Sequence, residues 1–529
     1  MKFKILNLQN LFILLTVLVL WGITAIKIEP LMHYHFQQMG FLTSFEFFKN
    51  YSVYPGGLSD YLAEFISQFF SFNFFGSFLI VAVASLQGLI AVDLVTRLVG
   101  KGRMAYSIFA LVALFGVMVL CDYRYPYYAS IRLLSAFVFT WAYYFINKKY
   151  PKQSLFCWPV LALLLFYLAG GPALFVYTLS TTAILIYTAK TKTWMKVIPV
   201  FLLFAGIVPY LGYKFLFQQS LGNLYRIITV KPPELLAYST FYQLIAYYTL
   251  LPLILFLFLF LVKSPEKEEV IKLKKGKAAP KVSFYKKPYF SLYLQVAVVA
   301  LLGGFLFMQS HSTFKKNILK IEYFAETEQW IKVIKMAEEI DIYDFRANFQ
   351  INRAYAHLGQ LPERLFDYPQ ILGVNGLFYD NSNINGSFTM PNSDLYFDLG
   401  FMSESQRWAF EGQTLMPNSP RILKRLIMIN LINRKYQLAG EFLSVLDQNM
   451  LCHDWVSKYQ KYVSDTTLTN TDPLIREKRR FNPQTNYVHI EPLEDLKLLF
   501  DTNKENSFAY NYGSSQKCVP EVNLVVTLL

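Results

Sequence analysis

The chain is 529 residues long, 54% of them hydrophobic, with a mean hydropathy of +0.30 and a formal net charge of +14. That basicity would suit a nucleic-acid partner, but residues 1–310 hold 27 Lys and Arg against 10 Asp and Glu, while the remainder holds 23 against 26. The excess charge therefore belongs with membrane topology, as the positive-inside rule expects, and nucleic-acid binding is set aside.

The N-terminus has a short basic start, Lys2 and Lys4, and an uncharged run from Ile5 to Ile26. No small-x-small cleavage site follows, so the run is predicted to be an uncleaved first span, about Leu8 to Ile26. A mixed polar and aromatic loop, Lys27 to Phe72, leads to span 2, Phe74 to Val95, and to a basic turn with Arg97, Lys101 and Arg103. Asp93 lies one helical turn before Arg97, the spacing of an interfacial ion pair. Spans 3 (Met104 to Leu120) and 4 (Leu133 to Asn147) flank the loop Asp122-Tyr-Arg-Tyr-Pro-Tyr-Tyr.

The 37 uncharged residues from Gln153 to Ala189 are too many for one crossing. Gly170-Gly171-Pro172 divides them, because glycine permits a tight turn and proline opens a helix well. Span 7 (Val197 to Tyr213) precedes a loop with Lys214, Arg226, Lys231 and Glu234. Spans 8 (Leu235 to Val262) and 9 (Tyr289 to Met308) enclose Lys263 to Pro288, a stretch with nine Lys against three Glu. Loops this basic stay on the cytoplasmic side. Nine spans, with the N-terminus inside and the C-terminus outside, satisfy every loop.

Beyond residue 310 apolar residues recur at helical spacing. Leu399 and Ile432 lie 33 apart, close to the 34-residue period of tetratricopeptide repeats, and Leu358-Gly359 begins a more degenerate copy. The fold class is thus all-α: a polytopic helical bundle over 1–310, an exported helical-repeat domain over 311–465, and a linker with a partial last repeat over 466–529. Cys452 and Cys518 either pair in an oxidising compartment or stay as thiols.

Candidate chemistry gathers in the loops on the outer face. Tyr54-Pro-Gly-Gly-Leu-Ser-Asp-Tyr-Leu-Ala-Glu64 reads as a turn opening an amphipathic helix, with Asp60 and Glu64 on its polar face. A carboxylate there could act as a general base on a hydroxyl or hold a divalent metal ion. The structural alternative is that Ser59 or Asp60 caps the helix and Glu64 favours its N-terminus. Arg124 and Arg132 have the planar fork that binds phosphate oxygens in pairs, or they anchor an interfacial aromatic belt. His33-x-His35 lacks a third metal ligand, and the chain contains no phosphate-cradling glycine loop.

The first-loop acids, the many spans and the helical tail together resemble the polytopic glycosyltransferases of the GT-C class. The Pro-Gly-Gly-Leu-Ser-Asp-Tyr-Leu stretch looks like that of an uncharacterised family of bacterial multi-pass membrane proteins. The resemblance implies a bacterial inner membrane protein with a periplasmic tail and a lipid-phosphate-linked sugar as substrate. It also implies Asp60 or Glu64 as the base, with Arg124, Arg132, Arg226 or Lys231 holding the phosphate. The paired Asp-Asp or Glu-Asp frequent in that class is absent. The competing reading is a non-enzymatic scaffold in the bilayer whose repeat tail recruits a protein partner for envelope assembly.

Overall fold

The computed structural model describes residues 2–38, 40–99, 105–188, 194–217, 238–261, 288–340, 342–372 and 388–482. Among them every regular element is helical. The chain divides into two compact units. One comprises Met1–His33 and Phe45–His311; the other comprises Tyr34–Ser44 and the chain from Ser312 onward.

The first unit holds α1 (Lys2–Ile23), α2 (Pro30–Gln37, whose second half belongs to the other unit), α3 (Phe45–Ser52), α4 (Gly57–Ser67), α5 (Asn73–Val99) and α6 (Ala105–Met118). It continues with α7 (Tyr128–Lys149), α8 (Ser154–Thr188), α9 (Trp194–Phe215), α10 (Tyr238–Leu261) and α11 (Pro288–Ser310). Five stretches are long and apolar enough to cross a membrane: Asn10–Ile28, Asn73–Leu98, Tyr128–Lys149, Ser154–Thr188 and Val197–Phe215. Val296–Ser310, counted with the helix after it, is a sixth candidate, and Ser107–Cys121 and Leu244–Leu257 are apolar but shorter. Arg97 Nε meets Asp93 Oδ2 at 2.7 Å, so the expected interfacial pair forms, and Trp141 Nε1 donates to the same oxygen.

Helix α8 does not run straight. Gly170 has φ 78° and ψ −177°, a conformation open to glycine because it lacks a Cβ. Trp158 Nε1 donates to Thr181 Oγ1 at 2.8 Å. In a continuous helix those residues would be about 35 Å apart at a 1.5 Å rise, so the two arms fold back on each other. At the open end, Asn147 donates to Thr188 Oγ1 and accepts from Ser154 Oγ, both at 2.9 Å. The tip of this hairpin is Gly170-Gly171-Pro172, where the sequence places a break.

The second unit repeats one local device. Its helices are α12 (Thr313–Glu326), α13 (Trp330–Ala337), α14 (Phe345–His357), α15 (Leu361–Arg364), α16 (Thr389–Asp398), α17 (Met402–Leu415), α18 (Pro420–Ile432), α19 (Tyr436–Leu446), α20 (His453–Ser464) and α21 (Pro473–Phe481). Four helix pairs, starting at α12, α14, α16 and α18, turn through a left-handed residue: Glu328, Gly359, Gly400 and Arg434. Each such residue lies two positions past the first helix and two before the second. The next N–H then closes onto the carbonyl five residues back, from Gln329, Gln360, Phe401 and Lys435 to Phe324, Tyr355, Tyr396 and Asn430, each at 2.8 Å. This is the Schellman ending, which satisfies the last carbonyls of a helix.

Side chains finish the other ends. Asp344 accepts from the Arg346 and Ala347 N–H groups and Asp472 from that of Ile475, as N-caps do. From α21, Arg479 donates to the Leu431 and Ile432 carbonyls and Lys478 to that of Asp398. Basic groups at helix C-termini also complement the helix dipole. Asp394, 4% exposed, accepts from Arg421 at 2.6 Å and Arg425 at 2.7 Å, which ties α16 to α18.

Candidate functional site

The turn before α4 positions Asp60. Gly56 has φ +89°, and a Cβ there would sit 2.9 Å from Arg132 Nη2; a Cβ on Gly57 would sit 1.8 Å from the Tyr51 carbonyl oxygen. Only glycine fits either place, which is why the sequence reads Pro-Gly-Gly. The approach lets Arg132, at the start of α7, reach Asp60 in a two-point clasp: Nε to Oδ1 at 2.9 Å and Nη2 to Oδ2 at 2.7 Å. Tyr54 donates its hydroxyl to Oδ2 at 3.1 Å, and the Tyr128 ring lies 4.7 Å from the guanidinium carbon. Arg132 is 0% exposed and Asp60 7%. Burial pushes the Asp60 carboxyl up; the Arg132 guanidinium and the Tyr54 hydroxyl pull it back down.

The same turn seals the tip of the α8 hairpin. Proline has no N–H, so Pro172 leaves the Leu168 carbonyl, one turn back, without its helical donor; the bend at Gly170 does the same for Tyr167. Ser59 Oγ donates to the Leu168 oxygen and the Gly56 N–H to that of Tyr167, both at 2.8 Å. Tyr167 in turn donates its hydroxyl to the Ser52 carbonyl at 3.0 Å. The loop ahead of α4 thus supplies what the broken helix lacks. Neither Ser59 nor Asp60 acts as the N-cap; that position is Gly56, without a side-chain bond.

Glu64 lies one turn further along α4 and is half-buried. Burial, with the Asp60 carboxylate nearby, pushes its carboxyl up to about 7, and no hydrogen bond or ion pair engages it among the described residues. Arg124 is committed locally, with Nε and Nη2 each 3.0 Å from an oxygen of Asp122. Arg226 and Lys231 lie outside the described residues, as does Cys518; Cys452 is a free, buried thiol.

The two histidines part company. His33 is buried, its Nε2 donates to the Leu120 carbonyl at 2.6 Å, and burial pushes it down to about 4, so it is neutral at pH 7. His35 meets Glu326 in the second unit at 2.8 Å. Among the described residues no group of three or more His, Cys, Asp and Glu could hold a metal ion.

The structure therefore joins Asp60 to Arg132, leaves Glu64 open on the next turn, and keeps Arg124 with Asp122. Sequence reasoning missed Tyr54, Tyr128 and the two freed carbonyls as parts of this site; the glycines and proline at 170–172 were the available signal for the carbonyls. No curated protein and no solved structure matches the chain. A family model matches residues 4–516, nearly its whole length, and on that basis the chain belongs to a family of unknown function, DUF6057.

Proposed function

We propose that this protein is a multi-pass scaffold of a bacterial inner membrane, with an exported helical-repeat body that holds a protein partner in envelope assembly. The observation that carries this reading is the mutual engagement of the charges at the outer ends of the helices. Both oxygens of Asp60 accept from Arg132, and Arg124 is held by Asp122. A carboxylate already met by a guanidinium is a weaker base, and a guanidinium already met by a carboxylate holds a phosphate less well. In this reading Asp60 and Arg132 are fasteners, and the four repeated helix pairs are the working surface, of the kind tetratricopeptide-like arrays use to bind peptides.

Nine crossings suit this reading. The two arms of α8, about 24 and 27 Å long at a 1.5 Å rise, count as two passes. Tyr34–Ser44 belongs to the same unit as the C-terminal body, which favours one compartment for both and so an even number of crossings between them. Helices α5, α6 and α7, the two arms of α8, and α9, α10 and α11 make eight. The Lys-rich stretch 263–288 then faces the cytoplasm and the body the periplasm.

Glu64 favours a second reading. An unpaired carboxyl near pH 7 in the first outer loop is what a GT-C-like transferase would use to deprotonate an acceptor hydroxyl. Arg226 and Lys231 would then hold the lipid-linked sugar phosphate, with or without a divalent metal ion. Mass spectrometry of envelope glycans separates the two readings, using cells with the native chain, Glu64→Gln, Asp60→Asn or no chain, at matched protein levels. The scaffold reading expects glycans unchanged by Glu64→Gln and a partner captured by cross-linking through the body. Loss of one lipid-linked glycan on Glu64→Gln, equal to that on deletion, overturns it in favour of the transferase.

A further inference from the structure

The second unit contains eleven residues that do not belong to it by sequence. Tyr34–Ser44 leaves the membrane unit after His33 and returns to it at Phe45. Between those points it is held mainly by two turns and one helix end of the C-terminal body.

At one end of the segment, His35 Nδ1 lies 2.8 Å from Glu326 Oε2 and the His35 ring meets Tyr323 edge-on. Further on, Ser419, which is wholly buried, donates its hydroxyl to Gln38 Oε1 at 3.0 Å. Gly40 lies against the turn before α18, where a Cβ would sit 2.4 Å from the Asn418 oxygen. Past it the backbone is read directly: Asn449 Nδ2 donates to the Phe41 carbonyl at 3.1 Å, and the Thr43 N–H donates to the Gln448 carbonyl at 3.0 Å. Phe41 and Leu42 are 2% and 6% exposed.

These features make up a peptide-recognition site. The Gln448 carbonyl and the Asn449 side-chain amide hold the segment's main chain, Phe41 and Leu42 are buried, and a glycine passes where no other residue fits. Ser419 and Asn449 are buried polar groups of the body whose hydroxyl and amide N–H donate to the segment, so they need an occupant there to be satisfied.

We propose that the C-terminal body carries a peptide-binding groove, and that its ligand is this chain's own first-loop segment, Tyr34–Ser44, bound in cis. The groove takes a chain with an imidazole at one end, glycine in the middle and an aromatic-aliphatic pair after it. The body is incomplete without that segment, and any partner using the same groove must displace it.

The test uses the full-length chain in detergent or nanodiscs. Gly40→Val removes the passage, and Gly304→Ala, where a Cβ meets nothing within 4 Å, is the control. The expected result is that amide exchange across residues 418–452 rises at least tenfold in Gly40→Val and not in the control. A synthetic Tyr34–Ser44 peptide at millimolar concentration should restore protection, and a scrambled peptide should not. Unchanged exchange in Gly40→Val, or no protection from the native peptide, overturns the proposal. A second measurement stands even where Gly40→Val does not accumulate: a benzoylphenylalanine at Phe41 of the otherwise native chain should photo-crosslink within the same chain to residues 412–452. Adducts between two chains, with a different protein, or none at all, overturn it.

Discussion

Replacing Asp60 by alanine isolates a guanidinium that is 0% exposed. Removing one member of a buried ion pair leaves an uncompensated charge and costs about 3–5 kcal/mol, whereas removing both and filling the space with apolar atoms is often nearly neutral. The geometry here is at the strong end, with two short charge-assisted bonds and a third from Tyr54. Arg132 Nη1 has no hydrogen-bond partner among the described residues, so the guanidinium depends on Asp60 for its hydrogen bonds. Asp60→Ala should therefore lower stability by about 3–5 kcal/mol, and Asp60→Ala with Arg132→Met should recover all but about 1–2 kcal/mol, a gain of about 1–4 kcal/mol over the single variant. At about 2–3 °C per kcal/mol for a unit of this size, the single variant should melt about 6–15 °C below the native protein. The assay is thermal unfolding of purified protein in nanodiscs, followed by intrinsic fluorescence at fixed lipid ratio. If Asp60→Ala melts within about 2 °C of native, or the double variant is worse than the single one, the pair is not a fastener. A specific loss of one glycan alongside native stability would instead place Asp60 in chemistry.

The hairpin tip gives a second cycle. Ser59→Ala should cost about 1–2 kcal/mol by orphaning the Leu168 carbonyl, and Pro172→Ala in the same chain should return part of it by restoring an N–H one turn on; equal melting of single and double variants would contradict this. Gly56→Ala should cost at least about 1–3 kcal/mol in the same unit, since φ +89° strains any side chain and the added Cβ meets the Arg132 guanidinium. In the second unit burial opposes ionisation of Glu326, but Arg421 and His35 hold its carboxyl down at about 2. A depressed carboxyl contributes stability that is fully present above its unfolded value near 4.5 and is lost as pH falls through the folded value. The body should thus lose up to about 3 kcal/mol between pH 4.5 and 2, and Glu326→Gln should flatten that limb in an acid titration followed by circular dichroism.

Much of the helical plan is legible because lipid and water impose strong periodicities. Gly170-Gly171-Pro172 could be found because proline and glycine act on the backbone locally, whatever surrounds them. The pairing of Asp60 with Arg132 could not, since the two lie 72 residues apart and charge composition does not say which acid meets which base. The repeated turns were half visible: Gly359 and Gly400 announce a left-handed ending, but Glu328 and Arg434 adopt the same conformation without glycine. Polarity made the stretch after Ser464 look like a linker, yet Pro473–Phe481 is a helix capped by Asp472 and anchored through Lys478 and Arg479 to carbonyl groups of other helices. The attachment of Tyr34–Ser44 to the C-terminal body left no local trace, because its glycine and its backbone meet residues hundreds of positions later.

That attachment sets an order of synthesis. The hydrogen bond from Asn449 to the Phe41 carbonyl joins residues 408 positions apart. At about 5–20 residues per second, the ribosome needs about 20–80 s to supply the second partner after the first. Throughout that interval the early segment lacks its partner while the helices in between are made. A newly made chain stalled before residue 449 would present the Phe41-Leu42 pair without the Asn449 amide that binds its backbone.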